Sequence, residues 1–462
     1  MTMLTLQQAA KILDAELIGN AQTSFDAVSI DSRKIVAGDL FFALQGPNFD
    51  GHKFVAVAAD QGAVAAVVSR QVESEIPQLV VADTRLALGR LAAAWRSKFQ
   101  GQVIGVTGSN GKTTVKEMLA RIMEQKGAVL ATEGNLNNDI GVPLMLLRLK
   151  PEQHQTAVIE MGANHVGEIA YLTSLAQPDV AVVTNAATAH LEGFGSLEDV
   201  ARAKAEIWQG LREDGAAIVN QDDEFTGYWT ELVTDYKSLG FGMLPTADVS
   251  LADGGVHWEV SASGYKSRFS MHTPAGRIDV AMNLAGRHNV MNALAATASA
   301  LAAGASAAEV QAGLESMEPV KGRLQPKVTG QGQLLIDDSY NANPHSFRAA
   351  IDVLLQASGE TILVMGDMAE LGPTASQHHF SIGEEARKKG INQLLACGSH
   401  CPEAVKGFAD GATCFATQQA LIEHLSVMLT DPIYKDAVLL VKGSRGAAMN
   451  KVVDALVAGG KD

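Results

Sequence analysis

Val103-Ile104-Gly105-Val106-Thr107-Gly108-Ser109-Asn110-Gly111-Lys112-Thr113-Thr114-Val115 is the stretch that decides how this chain folds. The apolar strand Val103 to Val106 runs into a glycine-bearing loop, and the loop into a helical sequence, Val115 to Gln125. Glycines let a backbone wrap a phosphate, while the following helix N-terminus turns free amides and its positive dipole toward the anion. In such a loop the lysine, here Lys112, neutralises charge and the next hydroxyl, Thr113, ligates Mg2+. Thr107, Gly108, Ser109, Asn110, Gly111, Lys112, Thr113 and Thr114 are therefore the expected ATP-binding residues. The strict motif puts its first glycine where Val106 stands; Gly105 and Gly108 flank that position instead. No Asn-Lys-x-Asp base-reading motif occurs, so ATP is expected rather than GTP.

Working outward, apolar strands recur at Ala157 to Ile159, Val180 to Thr184 and Ala216 to Val219 with helices between them, the pattern of a parallel α/β domain. This central P-loop ATPase domain is expected over residues 100–317. It runs on through a strand-like stretch, Val249 to Val280, to a long helix that begins near Asn289, with a linker near Met317 to Lys321. Beyond it, strands at Leu334 to Ile336, Thr361 to Met365, Gln393 to Ala396 and Val438 to Val441 alternate with helices, predicting a C-terminal Rossmann-like domain over 318–462. Its first strand is not followed by Gly-x-Gly-x-x-Gly, which argues against a nicotinamide or flavin role. Residues 1–99 read as a small N-terminal α/β domain, in which Gln45 to Gly51 forms an exposed turn dense in glycine, proline and asparagine. The expected fold class is thus α/β in three domains.

At 462 residues, 47% hydrophobic and 19% charged, the chain has the ordinary globular balance and needs more than one core. Thirty-six basic against fifty-one acidic side chains give a net charge of −15, a field that repels polyanions and argues against nucleic acid as a partner. The N-terminus, Met1 to Ala15, lacks the pattern of a signal peptide and reads as a short amphipathic helix with Leu6, Ala9, Ala10 and Leu13 inward. The most membrane-like stretch, Ala293 to Ala308, is interrupted by Thr297, Ser299, Gly304 and Ser306 and reads as a packed helix. A cytoplasmic monomer without a membrane span is expected. Three cysteines, Cys397, Cys401 and Cys414, suit neither a disulfide framework nor a zinc site.

Two strand ends add metal chemistry. Glu160 closes the strand Ala157 to Ile159 at the carboxyl edge, where α/β sheets bind ligands, and the strand Val180 to Thr184 leads to His190. Glu160 and His190 can share a cation with ATP phosphate, beside Thr113. A third candidate is Lys204. In the expected helix Leu197 to Leu211 the residues Leu197, Val200, Ile207, Trp208 and Leu211 form one stripe, and Lys204 falls within it. A lysine so placed is desolvated, which favours the neutral amine that adds CO2. Carbamylated Lys204 is expected, its new carboxylate serving a second Mg2+.

Taken together, Thr107 to Thr114, Glu133-Gly134-Asn135-Leu136-Asn137-Asn138, Glu160 to Asn164, Ala189-His190-Leu191-Glu192-Gly193, Gly286-Arg287-His288-Asn289-Val290-Met291-Asn292-Ala293 and Lys321-Gly322-Arg323 resemble the Mur ligases of peptidoglycan synthesis, essentially end to end. Within that family, Asp337-Asp338-Ser339-Tyr340-Asn341-Ala342-Asn343-Pro344 and Gly366-Asp367-Met368-Ala369-Glu370-Leu371-Gly372 resemble the branch that adds D-alanyl-D-alanine; the Asp-Asn-Pro-Arg motif of the diaminopimelate-adding branch is missing. The resemblance implies an N-terminal domain for the UDP-sugar, a central ATPase, and a C-terminal domain that completes the ATP and amine sites. It implies Asn289 and Asn292 near adenine or ribose, Arg323 and Asp338 reaching ATP, and Tyr340 and Asn341 beside them. Asn135, Asn137 and Asn138 would line the sugar-peptide. Asp31-Ser32-Arg33 and Asn48 to His52 (Asn48, Asp50, Gly51 and His52 foremost) resemble uridine and diphosphate contacts, and Lys442, Ser444 and Arg445 the segment that meets the dipeptide. Ala203-Lys204-Ala205-Glu206-Ile207 resembles the family's modified-lysine segment.

The activity so implied is ATP-dependent ligation. A carboxylate is too electron-rich for an amine to attack, so the γ-phosphoryl of ATP is first transferred to it, and the acyl phosphate is then attacked by the amine of D-alanyl-D-alanine. The substrates are ATP, UDP-N-acetylmuramoyl-tripeptide and the dipeptide, with catalysis by Lys112, Lys204, His190 and Glu160. Two alternatives stand beside this reading: a folylpolyglutamate synthetase-like amide ligase, and a nucleotide-switched binding protein that makes no amide.

Overall fold

The computed structural model describes residues 2–187, 194–261 and 264–459. The strand that feeds the phosphate loop, Gln102–Thr107, lies inside a large sheet between Thr156–Glu160 and Val180–Val183, parallel to both. From one edge the parallel part runs Val129–Ala131, Thr156–Glu160, Gln102–Thr107, Val180–Val183, Ala216–Asn220, Lys237–Gly242 and Val249–Leu251. An antiparallel extension follows, in which Gly264–Thr273 pairs with Val249–Leu251, His257–Ser261 and Gly276–Met282.

The central strands Gln102–Thr107, Thr156–Glu160 and Val180–Val183 are apolar nearly throughout because both faces are covered, as parallel sheets require. Ile104, Val106, Val158 and Val182 meet Val115, Met118, Leu119 and Ile122 of the helix Lys112–Glu124, with Val290, Ala293 and Leu294 of the helix Arg287–Ala302. Val103, Ala157, Ile159, Ala181 and Val183 face the other way, onto Leu146, Ile169, Leu172, Val200 and Ile207. Each fully buried Val, Leu, Ile or Met among them contributes about 1.5–3 kcal/mol relative to exposure.

Before this domain a five-stranded sheet orders Glu16–Ile18, Gln78–Val80, Ala65–Val68, Asp39–Phe42 and Ala27–Ser29. The expected turn Gln45 to Gly51 is instead a minimal antiparallel ribbon, Gln45–Gly46 against Phe49–Asp50. After the central domain a six-stranded sheet orders Gln325–Val328, Leu334–Asp338, Val438–Lys442, Thr361–Gly366, Gln393–Cys397 and Ala412–Phe415. Gln325–Val328 is an antiparallel edge strand, the place where Pro326, without an N–H, is tolerated.

Two helices end earlier than periodicity suggests. The alanine-rich helix stops at Ala302, where Gly304 takes φ +79°, and a second helix, Ala307–Glu315, starts at a capping box between Ser306 and Glu309. The helix expected over Leu197 to Leu211 is α-helical only over Leu197–Ala205 and tightens to a 3-10 turn over Glu206–Gly210. There the Glu206 carboxylate accepts from the backbone N–H groups of Gly167 (2.7 Å) and Ala170 (3.0 Å), at the start of the helix Glu168–Ala176. Among the described residues, no helix is long and apolar enough to cross a membrane.

Strand order reverses direction beside Gln102–Thr107: the chain goes to Val129–Ala131 and Thr156–Glu160 on one side, then to Val180–Val183 on the other. The crevice at the carboxyl ends of such strands is where open α/β sheets take ligands. Register sets Glu160 beside Val106 and Val183 beside Thr107, so these ends open on one cavity.

Candidate active site

Gly108 and Gly111 give the loop its shape. Gly108 has φ +144°, and a Cβ there would lie 1.9 Å from Thr184 Oγ1 and 3.1 Å from Asn185 N. Gly111, at φ +82°, caps the helix Lys112–Glu124, and its Cβ would lie 2.4 Å from Asn292 Oδ1. The loop is strapped to the end of the neighbouring strand. Ser109 N donates to Asn185 O (2.9 Å), Asn110 N to Asn185 Oδ1 (3.0 Å), and Thr184 Oγ1 to Asn110 O (2.6 Å). Thr107, fully buried, ties the strand below by donating from Oγ1 to Met161 O at 2.8 Å. Gly108→Ala is therefore expected to cost about 1–3 kcal/mol of backbone and contact strain. A thermal melt should show a Tm lower by several degrees, and an ATP titration weaker binding; an unchanged titration would mean that the loop does not hold nucleotide.

Lys112 Nζ donates to the carbonyls of Gly108 (2.6 Å) and Ser109 (3.3 Å), within the concavity these amides define. Its desolvation lowers the ammonium's pKa, and the Arg323 guanidinium adds to that, while Glu160 opposes both. Glu160 is 2% exposed. Its Oε1 accepts from Asn137 Nδ2 at 2.8 Å, whereas Oε2 is buried with no hydrogen-bond partner among the described residues. A buried carboxylate oxygen left over in this way fits a cation. Among the described residues no three His, Cys, Asp or Glu side chains converge to hold a metal unaided. That composition suits Mg2+, which takes one or two protein oxygens and completes its shell with phosphate and water.

The opposite wall comes from the linker and the C-terminal sheet. Arg323 Nη2 donates to Thr113 Oγ1 at 3.0 Å, and its guanidinium lies 4.5 Å from the Tyr340 ring centroid, with that of Arg445 at 5.8 Å. Asn343 Nδ2 reaches Asn110 Oδ1 at 2.7 Å while its Oδ1 caps the helix Pro344–Leu354. Asp338 and Lys442 end adjacent parallel strands in register and form a buried ion pair. Burial raises the Asp338 carboxyl's pKa against the pull of the Lys442 ammonium. Lys442 Nζ also donates to Asn341 O at 3.0 Å, so two of its three donors point to Asp338 and Asn341, and it still lines the cavity. Ser444 is 3% exposed, and Arg445 beside it is exposed.

The cavity enclosed by these walls has a volume of 1340 Å³. Ser109 to Thr114, Asn135, Asn137, Asn138, Glu160, Asn289, Asn292, Arg323, Asp338, Tyr340, Asn341, Lys442, Ser444 and Arg445 all line it. Within it Asn292 Nδ2 donates to Asn289 Oδ1 at 3.1 Å, and Asn138 Oδ1 accepts from Gly141 N at 2.8 Å. His288, unused in the sequence reading, also lines it, with burial pushing its pKa down to about 4, so it is neutral at pH 7.

Not every candidate converges. Ser32, Arg33, Asn48, Asp50, Gly51 and His52 do not line the cavity. Arg33 pairs with Asp31, which holds that carboxyl's pKa at about 2. Asp50 bridges His52 Nδ1 and Arg70 Nη2, each at 2.7 Å, and His52 Nε2 accepts from Ser69 N at 2.9 Å. His190 lies outside the described residues. Lys204 is 2% exposed, lies 5.1 Å from the Phe194 ring centroid and is not among the residues that line the cavity. Desolvation, reinforced by Lys112, brings its amine to a pKa of about 7.

A phosphate-gripping loop, an uncommitted carboxylate oxygen and a second sheet that brings an arginine onto the loop define an α/β enzyme of phosphoryl chemistry. The chain belongs to the Mur ligase family. The family's models match as the Mur ligase family catalytic domain at residues 24–96, the Mur ligase middle domain at 106–300 and the Mur ligase glutamate ligase domain at 322–445. The UDP-N-acetylmuramoyl-tripeptide--D-alanyl-D-alanine ligase of Escherichia coli is 46% identical, over 100% of both chains. That of Haemophilus influenzae is 42% identical over 99% of both. Among solved structures, MurF from Acinetobacter baumannii superposes with a TM-score of 0.92 at 40% identity over 99% of both chains. MurF ligase from Thermotoga maritima in complex with ADP gives 0.79 at 27% identity, over 93% of this chain and 96% of that one.

Proposed function

We propose that the protein joins D-alanyl-D-alanine to UDP-N-acetylmuramoyl-tripeptide, with ATP converted to ADP and phosphate, and so makes the UDP-N-acetylmuramoyl-pentapeptide used in cell wall synthesis. The observation that supports it most is the meeting of Lys112, the free oxygen of Glu160 and Arg323 in one cavity assembled from two sheets. A tripeptide carboxylate oxygen attacks the γ-phosphorus, ADP leaves, and Lys112 and Arg323 neutralise the charge on the transferred group. The dipeptide amine, having lost its proton, attacks the acyl carbon; the tetrahedral intermediate collapses to the amide and expels phosphate. Thr113, Glu160 and, in our reading, His190 would hold Mg2+, which when bound would supply further charge neutralisation.

In this scheme Ser109 to Thr114 seat the phosphates on a loop whose base Thr107 and Gly108 fix, Asn289, Asn292, Asp338, Tyr340 and Asn341 the nucleoside, and Asn135, Asn137 and Asn138 the peptide. Ser32, Arg33 and Asn48 take the UDP end, with Asp50, Gly51 and His52 shaping that turn, and Ser444 and Arg445 meet the dipeptide beside Lys442. The three sheets correspond to working units at 1–99, 100–317 and 318–462. Action as a monomer in the cytoplasm, where nucleotide-linked substrates occur, belongs to the same reading.

Lys204 is carbamylated in this reading. Its neutral amine adds CO2 with loss of a proton, and the carboxylate so formed turns the repulsion with Lys112 into attraction and offers oxygen to a second Mg2+. The ligation itself is tested by incubating the protein with ATP, UDP-N-acetylmuramoyl-tripeptide and D-alanyl-D-alanine. A product heavier by the dipeptide less water is expected in mass spectrometry, whereas ATP turnover without amide would favour a nucleotide-switched binding protein.

A further inference from the structure

Arg85 and Asp139 belong to different sheets' surroundings and meet at the cavity. Arg85 is the second residue of the helix Thr84–Arg96 of the N-terminal domain, where the capping Asp83 Oδ1 accepts from its backbone N–H at 2.7 Å. Asp139 directly follows Asn138 in the central domain, and Arg85 Nε donates to Asp139 Oδ2. Both residues line the cavity, and their side chains remain 53% and 31% exposed. The other ion pair with both members on the described wall, Lys442 with Asp338, is 2% and 12% exposed. A half-open pair adds little to fold stability, so its charges are available to a ligand at small loss.

Its position relates it to the reacting carboxylate. Asn137 touches Glu160, and Asp139 is two residues further on, at most about 7 Å of chain. A third peptide residue with its carboxylate between Lys112 and Glu160 can therefore send a four-carbon side chain to the Arg85–Asp139 pair. The chemistry that fits such a pair is an α-amino-acid zwitterion: carboxylate on the guanidinium fork, ammonium on the carboxylate. A lone ammonium matches Asp139 but is repelled by Arg85.

We propose that Arg85 and Asp139 together select a tripeptide whose third residue ends in a zwitterion, as diaminopimelate does, over one ending in the single ammonium of lysine. This rests on the ligation reading above.

The test is kcat/KM for UDP-N-acetylmuramoyl-tripeptides ending in diaminopimelate or lysine, each with ATP and D-alanyl-D-alanine, for the wild type, Arg85→Met and Asp139→Asn. The wild type should prefer the diaminopimelate substrate at least tenfold. Arg85→Met should lose tenfold or more on that substrate, mostly through KM, and less than threefold on the lysine one; Asp139→Asn should weaken both, diaminopimelate the more. Equal losses on both substrates in Arg85→Met, or a wild type that does not discriminate, would overturn the assignment. Failure of the wild type to make amide from either substrate would instead overturn the ligation reading, and this inference with it.

Discussion

Lys112→Ala should lower ligation by about a thousandfold or more, the range in which single transition-state charge donors act, while the protein stays folded. Lys112 opens the helix Lys112–Glu124 at its phosphate-facing end, and alanine is the best helix former. Among the described residues its Nζ bonds go to the carbonyls of Gly108 and Ser109, both on the same loop. Tm should therefore stay within about 2 °C of the wild type, the scale of a substitution outside the core. What is lost is the cation that neutralises the transferred phosphoryl group, with Arg323 left to act alone from the other wall. Product formation at the wild-type rate would remove the phosphate loop from the mechanism. A collapsed Tm would assign Lys112 a structural role instead.

Lys204→Ala is expected to lose activity on a similar scale, and to regain part of it when acetate or propionate is added, because a free carboxylate can occupy the space of the carbamate. The pH dependence has a definite sign. With the amine near pKa 7, ammonium dominates below that pH, and forming the carbamate from ammonium and CO2 then releases two protons; above it, from the neutral amine, one. At fixed dissolved CO2, carbamate occupancy therefore falls steeply as pH drops from 8 to 6. The same shift enters stability. Between about pH 7 and the ordinary lysine value of 10.5 the unfolded chain binds the extra proton, so the unmodified protein gains stability as pH rises through that window. Isotopically labelled CO2 should give a carbamate resonance in the wild type that Lys204→Ala lacks. Full activity in Lys204→Ala without added acid would refute the role.

Much of the site could be read from the chain because its parts are local. The phosphate loop announces itself by glycine spacing between a strand and a helix, and Glu160 by ending an apolar run. The buried position of Lys204 followed from helical spacing, although the helix ends at Ala205. That break coincides with distant contacts that local spacing does not report: the Glu206 carboxylate accepts from the backbone N–H groups of Gly167 and Ala170. Distance also hid the commitment of Lys442 to Asp338 and the contact of Arg323 with Thr113, which no periodicity reports. The same holds for Arg85 and Asp139, each of which reads alone as a surface charge near a helix start. The strand Lys237–Gly242 escaped because its sequence, Lys-Ser-Leu-Gly-Phe-Gly, holds two glycines and little alternation. Gln325–Val328 escaped because Pro326 argues against a strand wherever the edge position is unknown.

The acyl phosphate is the step on which the scheme depends, and oxygen labelling reads it directly. UDP-N-acetylmuramoyl-tripeptide with heavy oxygen in its terminal carboxylate is incubated with the protein, unlabelled ATP and D-alanyl-D-alanine, and the released phosphate is weighed by mass spectrometry. One carboxylate oxygen should leave with phosphate for each amide formed, because the carbon–oxygen bond to the phosphorylated oxygen breaks when the amine displaces it. Amide formed together with wholly unlabelled phosphate would contradict phosphoryl transfer to the tripeptide.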